Sequence, residues 1–283
     1  MVFGEYSLPV GEHRYWVGEW HLVICRGGLE FIEFRQIPSM PEGPSIVILK
    51  EAVQSFRGKN VLKASGNLKT VDLSEIEGHK ITDFKSWGKH FLICFRHLTL
   101  RVHFLMFGSY TINERKDREP RLSLSFRNGE VNFYSCAIRP LDADPDDIYD
   151  WSADVMSETW DPKAAIKKLK AHPDMLVCDA LLDQTIFAGV GNIIKNEVLF
   201  RIKIHPLSTV GALPPRKLKE LVTEAVNYSY DFLEWKKEYT LRKHWLAHTK
   251  RACPRDSTSL TKAHLGTTNR RSFYCPVCQK LYT

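Results

Sequence analysis

The stretch DQTIFAGVGNIIKNEVLFRIKIHP, Asp183 to Pro206, decides the fold. Gly189 and Gly191 bracket a turn between two apolar runs, which predicts a helix, a sharp reversal and a second helix opening around Asn192. The amides that open the second helix are expected to face outward, where unpaired N–H groups and the helix dipole attract a phosphate. Glycine is frequent at any helix joint, so the turn alone names no ligand.

Helical patterning continues on both sides, in PKAAIKKLKAH from Pro162 and in PPRKLKELVTEAVNYSYDFLEW from Pro214. Upstream of the acidic linker DADPDD (142–147) the text changes to short β-rich runs divided by turn signals: KITDFKSWGKHFLICF, LTLRVHFLMFGSYTI, RLSLSFRNG and EVNFYSC. Such spacing suggests an antiparallel sandwich or barrel. Before these runs, MPEGPS from Met40 opens one amphipathic helix through Ile46, Leu49, Val53 and Phe56, ending near Gly58. The expected organisation is multi-domain α+β: an extension over 1–39, a β-sandwich domain over 40–150, a helical domain over 151–245 and a metal-binding hairpin over 246–283. Residues 1–39 mix Trp16, Trp20, Phe31 and Phe34 without a clean period and lack the features of a signal peptide. They read as an upstream stretch outside the functional protein, such as a wrong start would add.

With 283 residues the chain has length for two or three domains. No segment offers the roughly 20 apolar residues of a membrane span, so no membrane partner is expected. The net charge of +7 is concentrated beyond residue 39 and permits a polyanionic partner without requiring one. Cys25, Cys94, Cys136 and Cys178 sit singly in apolar runs and read as buried thiols of a reducing, intracellular compartment.

The terminal CPVC is a C-x-x-C knuckle whose two-residue gap lets both thiolates reach one tetrahedral ion. HTKRACPRD supplies the other half, with His248 and Cys253 separated by four residues and Asp256 three beyond Cys253. The expected ligand set is His248, Cys253, Cys275 and Cys278, with His244, His264 or Asp256 as replacements for His248. Inside a chain, Pro41 and Glu42 are a helix start with a dipole-compatible carboxylate. If synthesis starts at Met40 and the methionine is trimmed, Pro41 becomes a secondary amine titrating near 8, able to attack an electrophilic carbon, with Glu42 beside it to supply an acid. Lys89 in SWGKHF is, on residue type alone, a solvated turn lysine.

Taken together, MPEGPS, SWGKHF, HFLMFGS, Asp183–Pro206 and RRSFYCPVCQK resemble the formamidopyrimidine-DNA glycosylase and endonuclease VIII family, in the family's order and over the chain from Met40 on. The resemblance implies a β-sandwich, a helix-two-turns-helix domain and a C-terminal zinc hairpin holding one structural zinc, with damaged double-stranded DNA in the cleft and the protein acting as a monomer. It implies Pro41 as nucleophile at sugar C1′, Glu42 as the acid at the sugar ring and Lys89 as a contact to sugar and phosphate. Asn192 and Arg270 match two phosphate clamps, Glu197 a base-pocket carboxylate, and Leu105, Met106 and Phe107 a wedge that fills the emptied stack. The LMF wedge and MPEGP opening resemble the endonuclease VIII branch, which implies oxidised pyrimidines, base excision and β,δ-elimination in a cytoplasmic or nucleoid setting if the source is bacterial. Three departures stand out. Ser45 replaces a common Glu, YSCAIRPLD has no equivalent of the purine enzymes' Arg/Phe loop, and CPRD lacks a second cysteine. The alternatives are an oxidised-purine glycosylase, a non-catalytic damaged-DNA binder, and a zinc-ribbon RNA or ribosome binder.

Overall fold

The structure is a computed structural model that describes residues 41–283 and, ahead of them, the backbone of three short strands. These are β1 (Glu5–Ser7), β2 (His13–Val17) and β3 (Trp20–Ile24), paired antiparallel in that order within a unit of their own, Met1–Ser39. The sequence predicted no element there; Cys25 and Met40 lie outside the described residues.

Met40–Thr283 forms the second unit. Its first helix, α1 (Gly43–Ala52), starts with proline in its first turn, and a tight turn over Gln54–Phe56 follows it. Ile46, Leu49, Val53 and Phe56 are all buried, as their spacing predicts, and Gly58 breaks the run at a φ of 75°. Eight strands follow: β4 (Lys63–Ser65), β5 (Asp83–Trp87), β6 (His90–Cys94), β7 (Thr99–His103), β8 (Ser109–Ile112), β9 (Leu122–Phe126), β10 (Gly129–Tyr134) and β11 (Ala137–Pro140). They form two antiparallel sheets, ordered β4-β9-β10-β8 and β11-β7-β6-β5. Alternate residues of both sheets, among them Leu124, Phe133, Phe91 and Val102, meet with α1 in one apolar core. This is the expected sandwich.

Strand β6 is apolar throughout because both of its faces are covered. Phe91 and Ile93 enter the sandwich core, while Leu92 and Cys94 face outward beneath Tyr149. Tyr149 follows α2 (Pro145–Ile148), whose start the Asp144 carboxylate caps.

The chain then turns helical, through α3 (Pro162–Lys170), α4 (Val177–Ala180), α5 (Asn192–Arg201) and α6 (Pro215–Lys237). The long middle run is shorter in helix than its apolar pattern predicts. After α4, residues 181–191 form turns closed by Gln184, whose amide donates to the carbonyls of Leu182 and Val190 and accepts the Gly189 amide. A hairpin of β12 (Thr261–Leu265) and β13 (Arg270–Tyr274) ends the fold.

Helix α5 is buried over all of Asn192–Phe200. A polar side chain in such a helix needs partners, because desolvation without a hydrogen bond costs several kcal/mol. Three consecutive residues find theirs on the C-terminal segment. Lys195 Nζ donates to Ser272 Oγ at 2.8 Å and to the Arg271 carbonyl at 3.2 Å. Asn196 Oδ1 accepts the Phe273 amide at 3.1 Å. Glu197 accepts the amides of Leu246, Ala247 and His248 at 2.9, 2.9 and 2.7 Å. The hairpin is therefore fastened to the helical domain by α5 itself. Glu197→Ala would orphan three amides, and at roughly 1–3 kcal/mol for each buried unpaired group the expected loss of unfolding free energy is about 3 kcal/mol or more. Urea unfolding checks this; a loss below about 1 kcal/mol contradicts it.

Candidate active site

Glu42 is 1% exposed and its carboxylate faces the start of α5. It accepts the Ile193 amide at 2.7 Å and the Gly191 and Ile194 amides at 3.1 Å each. The helix-opening amides that the sequence assigned to a phosphate are thus already taken by a carboxylate of this chain. The same dipole argument applies, with a different anion. Gly191 permits the approach, since a Cβ there would overlap the Glu42 carboxyl. Beside it, Gly43 donates to the Gly189 carbonyl at 2.8 Å, and a Cβ on Gly88 would lie 2.9 Å from the Gly189 nitrogen. Bare backbone lets three segments converge.

At this convergence lies a cavity of about 500 Å³. Pro41, Glu42, Lys89, Asn192, Arg270, Leu105 and Met106 line it, so residues far apart in sequence and predicted to act together do meet. Phe107 ends the same turn, and Leu105, Met106 and Phe107 are 55%, 48% and 63% exposed. Three bulky apolar side chains thus stand in solvent rather than in the sandwich core. Leu105 holds a φ of 54°, uncommon for a bulky side chain, and its amide donates to His103 Nδ1 at 3.2 Å. Trp87, His90, His103, Leu182, Gln184 and Thr268 also line the cavity, and no spacing pattern in the sequence marks them.

Electrostatically, burial opposes charge on both Glu42 and Lys89. Burial pushes the Glu42 carboxyl above its ordinary value, against the pull of the Lys89 charge and the three amides. Burial lowers Lys89, Glu42 raises it and Arg270 lowers it further, for a net depression. The turn that presents Lys89 is held by Asp154, a residue with no signal in sequence. Its carboxylate accepts the Gly88 amide at 2.9 Å and the Met156 amide at 2.9 Å.

Two assigned residues lie elsewhere. Glu197 does not line the cavity, because both its oxygens are occupied by the amides of residues 246–248. His248 is not grouped with the cysteines. Its Nδ1 meets the Asn196 amide nitrogen at 3.2 Å, and its ring packs edge-on against Trp245 and Phe273. The fourth member of the cluster is Asp256: it, Cys253, Cys275 and Cys278 place one donor atom each within 4.8 Å of one another. Cys253 and Cys278 sulfurs are 3.7 Å apart. Two sulfurs bound at ~2.3 Å to a tetrahedral ion stand about 3.8 Å apart, so the set fits a zinc-like ion. The Cys278 amide and the Arg255 guanidinium, each 3.3 Å from a cysteine sulfur, suit thiolates.

Sandwich, helical domain, cysteine-bearing hairpin and the cavity lined by Pro41, Glu42 and Lys89 together define the class: a DNA-glycosylase scaffold. Residues 40–139 match the formamidopyrimidine-DNA glycosylase N-terminal domain, and residues 152–240 match the H2TH domain of the same enzymes. The chain belongs to the formamidopyrimidine-DNA glycosylase and endonuclease VIII family. Endonuclease 8-like 3 of Xenopus laevis is 32% identical over 222 residues, covering 74% of this chain and 36% of that protein. Endonuclease 8-like 2 of Bos taurus is 35% identical over 196 residues, covering 64% and 58%. The chain thus matches between about a third and three fifths of these relatives' length. Among solved structures, a viral DNA glycosylase superposes with a TM-score of 0.73 at 22% identity over 84% of this chain and all of that one. Lactococcus lactis formamidopyrimidine-DNA glycosylase, bound to DNA with an abasic site, gives 0.73 at 19% identity over 84% and 99%.

Burial raises the Asp154 carboxyl to about 6, against the Met156 and Gly88 amides. A carboxyl raised in the folded state binds its proton more tightly there than in the unfolded chain. Its stabilisation is complete below about pH 4 and is lost as pH rises through about 6. The full difference is about 3 kcal/mol. Asp154→Asn should flatten the pH dependence of unfolding free energy between pH 4 and 6 relative to the parent. Equal slopes would contradict this role.

Proposed function

We propose that the protein is a bifunctional DNA glycosylase and abasic-site lyase of base excision repair, with Pro41 as nucleophile. The observation that carries this reading is the meeting of Pro41, Glu42 and Lys89 in one cavity rimmed by an exposed apolar wedge. A base inside a duplex is out of reach, so the target nucleotide must leave the stack, and Leu105, Met106 and Phe107 suit the vacated space. The free Pro41 amine attacks C1′ and the base departs with the electrons of its glycosidic bond; the attacking nitrogen loses its proton, and the C1′–O4′ bond then opens, with O4′ taking a proton from Glu42, to leave a Pro41–C1′ iminium. Loss of the C2′ proton then expels the 3′ phosphate, and a second elimination expels the 5′ phosphate. Glu42, raised by burial, retains a proton to a higher pH than an ordinary carboxyl and acts as the acid at the sugar ring. Lys89, Asn192 and Arg270 face the strand's phosphates. Zinc at Cys253, Asp256, Cys275 and Cys278 would fix the hairpin that carries Arg270. The wedge and the lack of a purine-enzyme loop favour oxidised pyrimidines over 8-oxoguanine.

Borohydride should trap a covalent complex between abasic DNA and protein that begins at Met40, with the full 283-residue chain failing to trap. Equal trapping by both moves the nucleophile to a lysine. Glu42→Gln keeps one acceptor for the α5 amides but loses the acid, so base excision should fall by roughly 10² while cleavage of ready-made abasic sites falls less. Comparable losses in both assays would refute that division.

For the metal, Asp256→Ala should lower zinc content below one per chain and His248→Ala should leave it intact, measured by atomic emission. The reverse result returns the fourth ligand to His248.

A further inference from the structure

Next to the cavity lies a smaller pocket of about 230 Å³, lined by His90, Arg101, His103, Ala137 and Arg139. It shares His90 and His103 with the larger cavity, so the two adjoin. Strand register explains its composition. His90 lies opposite His103, which lies opposite Ala137, and Arg101 lies opposite Arg139. Residues two apart on a strand share a face, so both arginines and both histidines project from the same side of this sheet. The other side carries Leu100, Val102 and Ile138 into the sandwich core. Ala137 leaves room between the larger side chains.

The pocket's charge is unbalanced. No carboxylate lines it, and among the described residues neither arginine has a carboxylate partner. Arg101 reaches the Tyr149 hydroxyl, a neutral group, and Arg139 is exposed. Like charges set directly opposite across an antiparallel pair destabilise it. The surrounding imidazoles register the excess: burial, then Arg101, holds His90 down at about 4, and burial, Lys89 and Arg101 lower His103. An anion would relieve the arrangement. Guanidinium groups present only donors, in planar forks that match phosphate oxygens.

We infer that Arg101 and Arg139 form a second anion site, seating one backbone phosphodiester of the DNA strand whose extruded nucleotide occupies the adjoining cavity. The DNA ligand rests on the proposed function; the anion site rests on the paired arginines. It lies one step along the sheet from the wedge turn, since His103 both borders the pocket and accepts the Leu105 amide. A strand gripped there is held on the sandwich side, independently of Asn192 and Arg270.

The test measures equilibrium affinity of the full chain for duplex DNA bearing an abasic-site analogue, across a salt series, with single methylphosphonates placed along the damaged strand. Affinity requires no free amine, so the readout is separate from catalysis. In the parent, one methylphosphonate position should weaken binding roughly tenfold, the worth of one charged hydrogen-bonded contact. Arg101→Gln/Arg139→Gln should be indifferent at that position and should lower the slope of log K against log salt by about 0.9. Arg139→Gln alone, at an exposed side chain that the fold does not need, should show part of both effects. An unchanged slope with unchanged methylphosphonate sensitivity in the double variant overturns this inference and leaves the proposed function standing. No DNA binding either by the parent or by protein begun at Met40 overturns both.

Discussion

The Glu42 carboxylate on the amides of Gly191, Ile193 and Ile194 is the contact on which the rest of the site depends. Helix α5 begins inside the protein, where its first N–H groups have neither water nor an intrahelical partner. The carboxylate satisfies three of them and, being covalently next to Pro41, fixes that residue at the cavity. One interaction thereby closes the helix start and holds Pro41, the proposed nucleophile, at the cavity. Further along α5, Lys195, Asn196 and Glu197 fasten the hairpin that presents Arg270 and Thr268. Helix α5 is the common support for both walls.

The same contact creates a conflict between two demands on Glu42. Amide donors and Lys89 favour its charged form, while complete burial favours the neutral one, and burial prevails. Lys89 is subject to the complementary opposition, depressed by burial and by Arg270 and raised by Glu42. Charges held this way by fixed neighbours need little reorganisation when a charged ligand arrives. The cavity and the pocket of the neighbouring arginine pair adjoin through His90 and His103, so cationic groups line both.

The α1 spacing, the strand and turn signals and the Gly189–Gly191 turn were legible in sequence because each is a local periodicity with one structural solution. The grouping of Pro41, Lys89, Asn192 and Arg270 was legible only through family likeness, since nothing local brings position 41 to position 270. Three readings failed for a shared reason. Whether a polar group faces a ligand or a neighbour depends on what packs over it, and sequence spacing does not encode that. The α5 amides meet Glu42, Glu197 meets the 246–248 backbone, and His248 is enclosed by Asn196, Trp245 and Phe273, leaving Asp256 to complete the cysteine cluster. Asp154 left no trace because its role is to hold a glycine amide. In sequence, a lone aspartate just after the short turn at Trp151 is indistinguishable from a surface one.

The central claim is that the reacting amine belongs to Pro41. It is tested most directly by locating the adduct: protein begun at Met40 is reduced with borohydride on abasic DNA, digested with nuclease and trypsin, and sequenced by tandem mass spectrometry. The expected result is a sugar-derived mass increment on the amino-terminal residue of PEGPSIVILK, Pro41 to Lys50. An increment on Lys89, with the Pro41 peptide unmodified, would contradict the account.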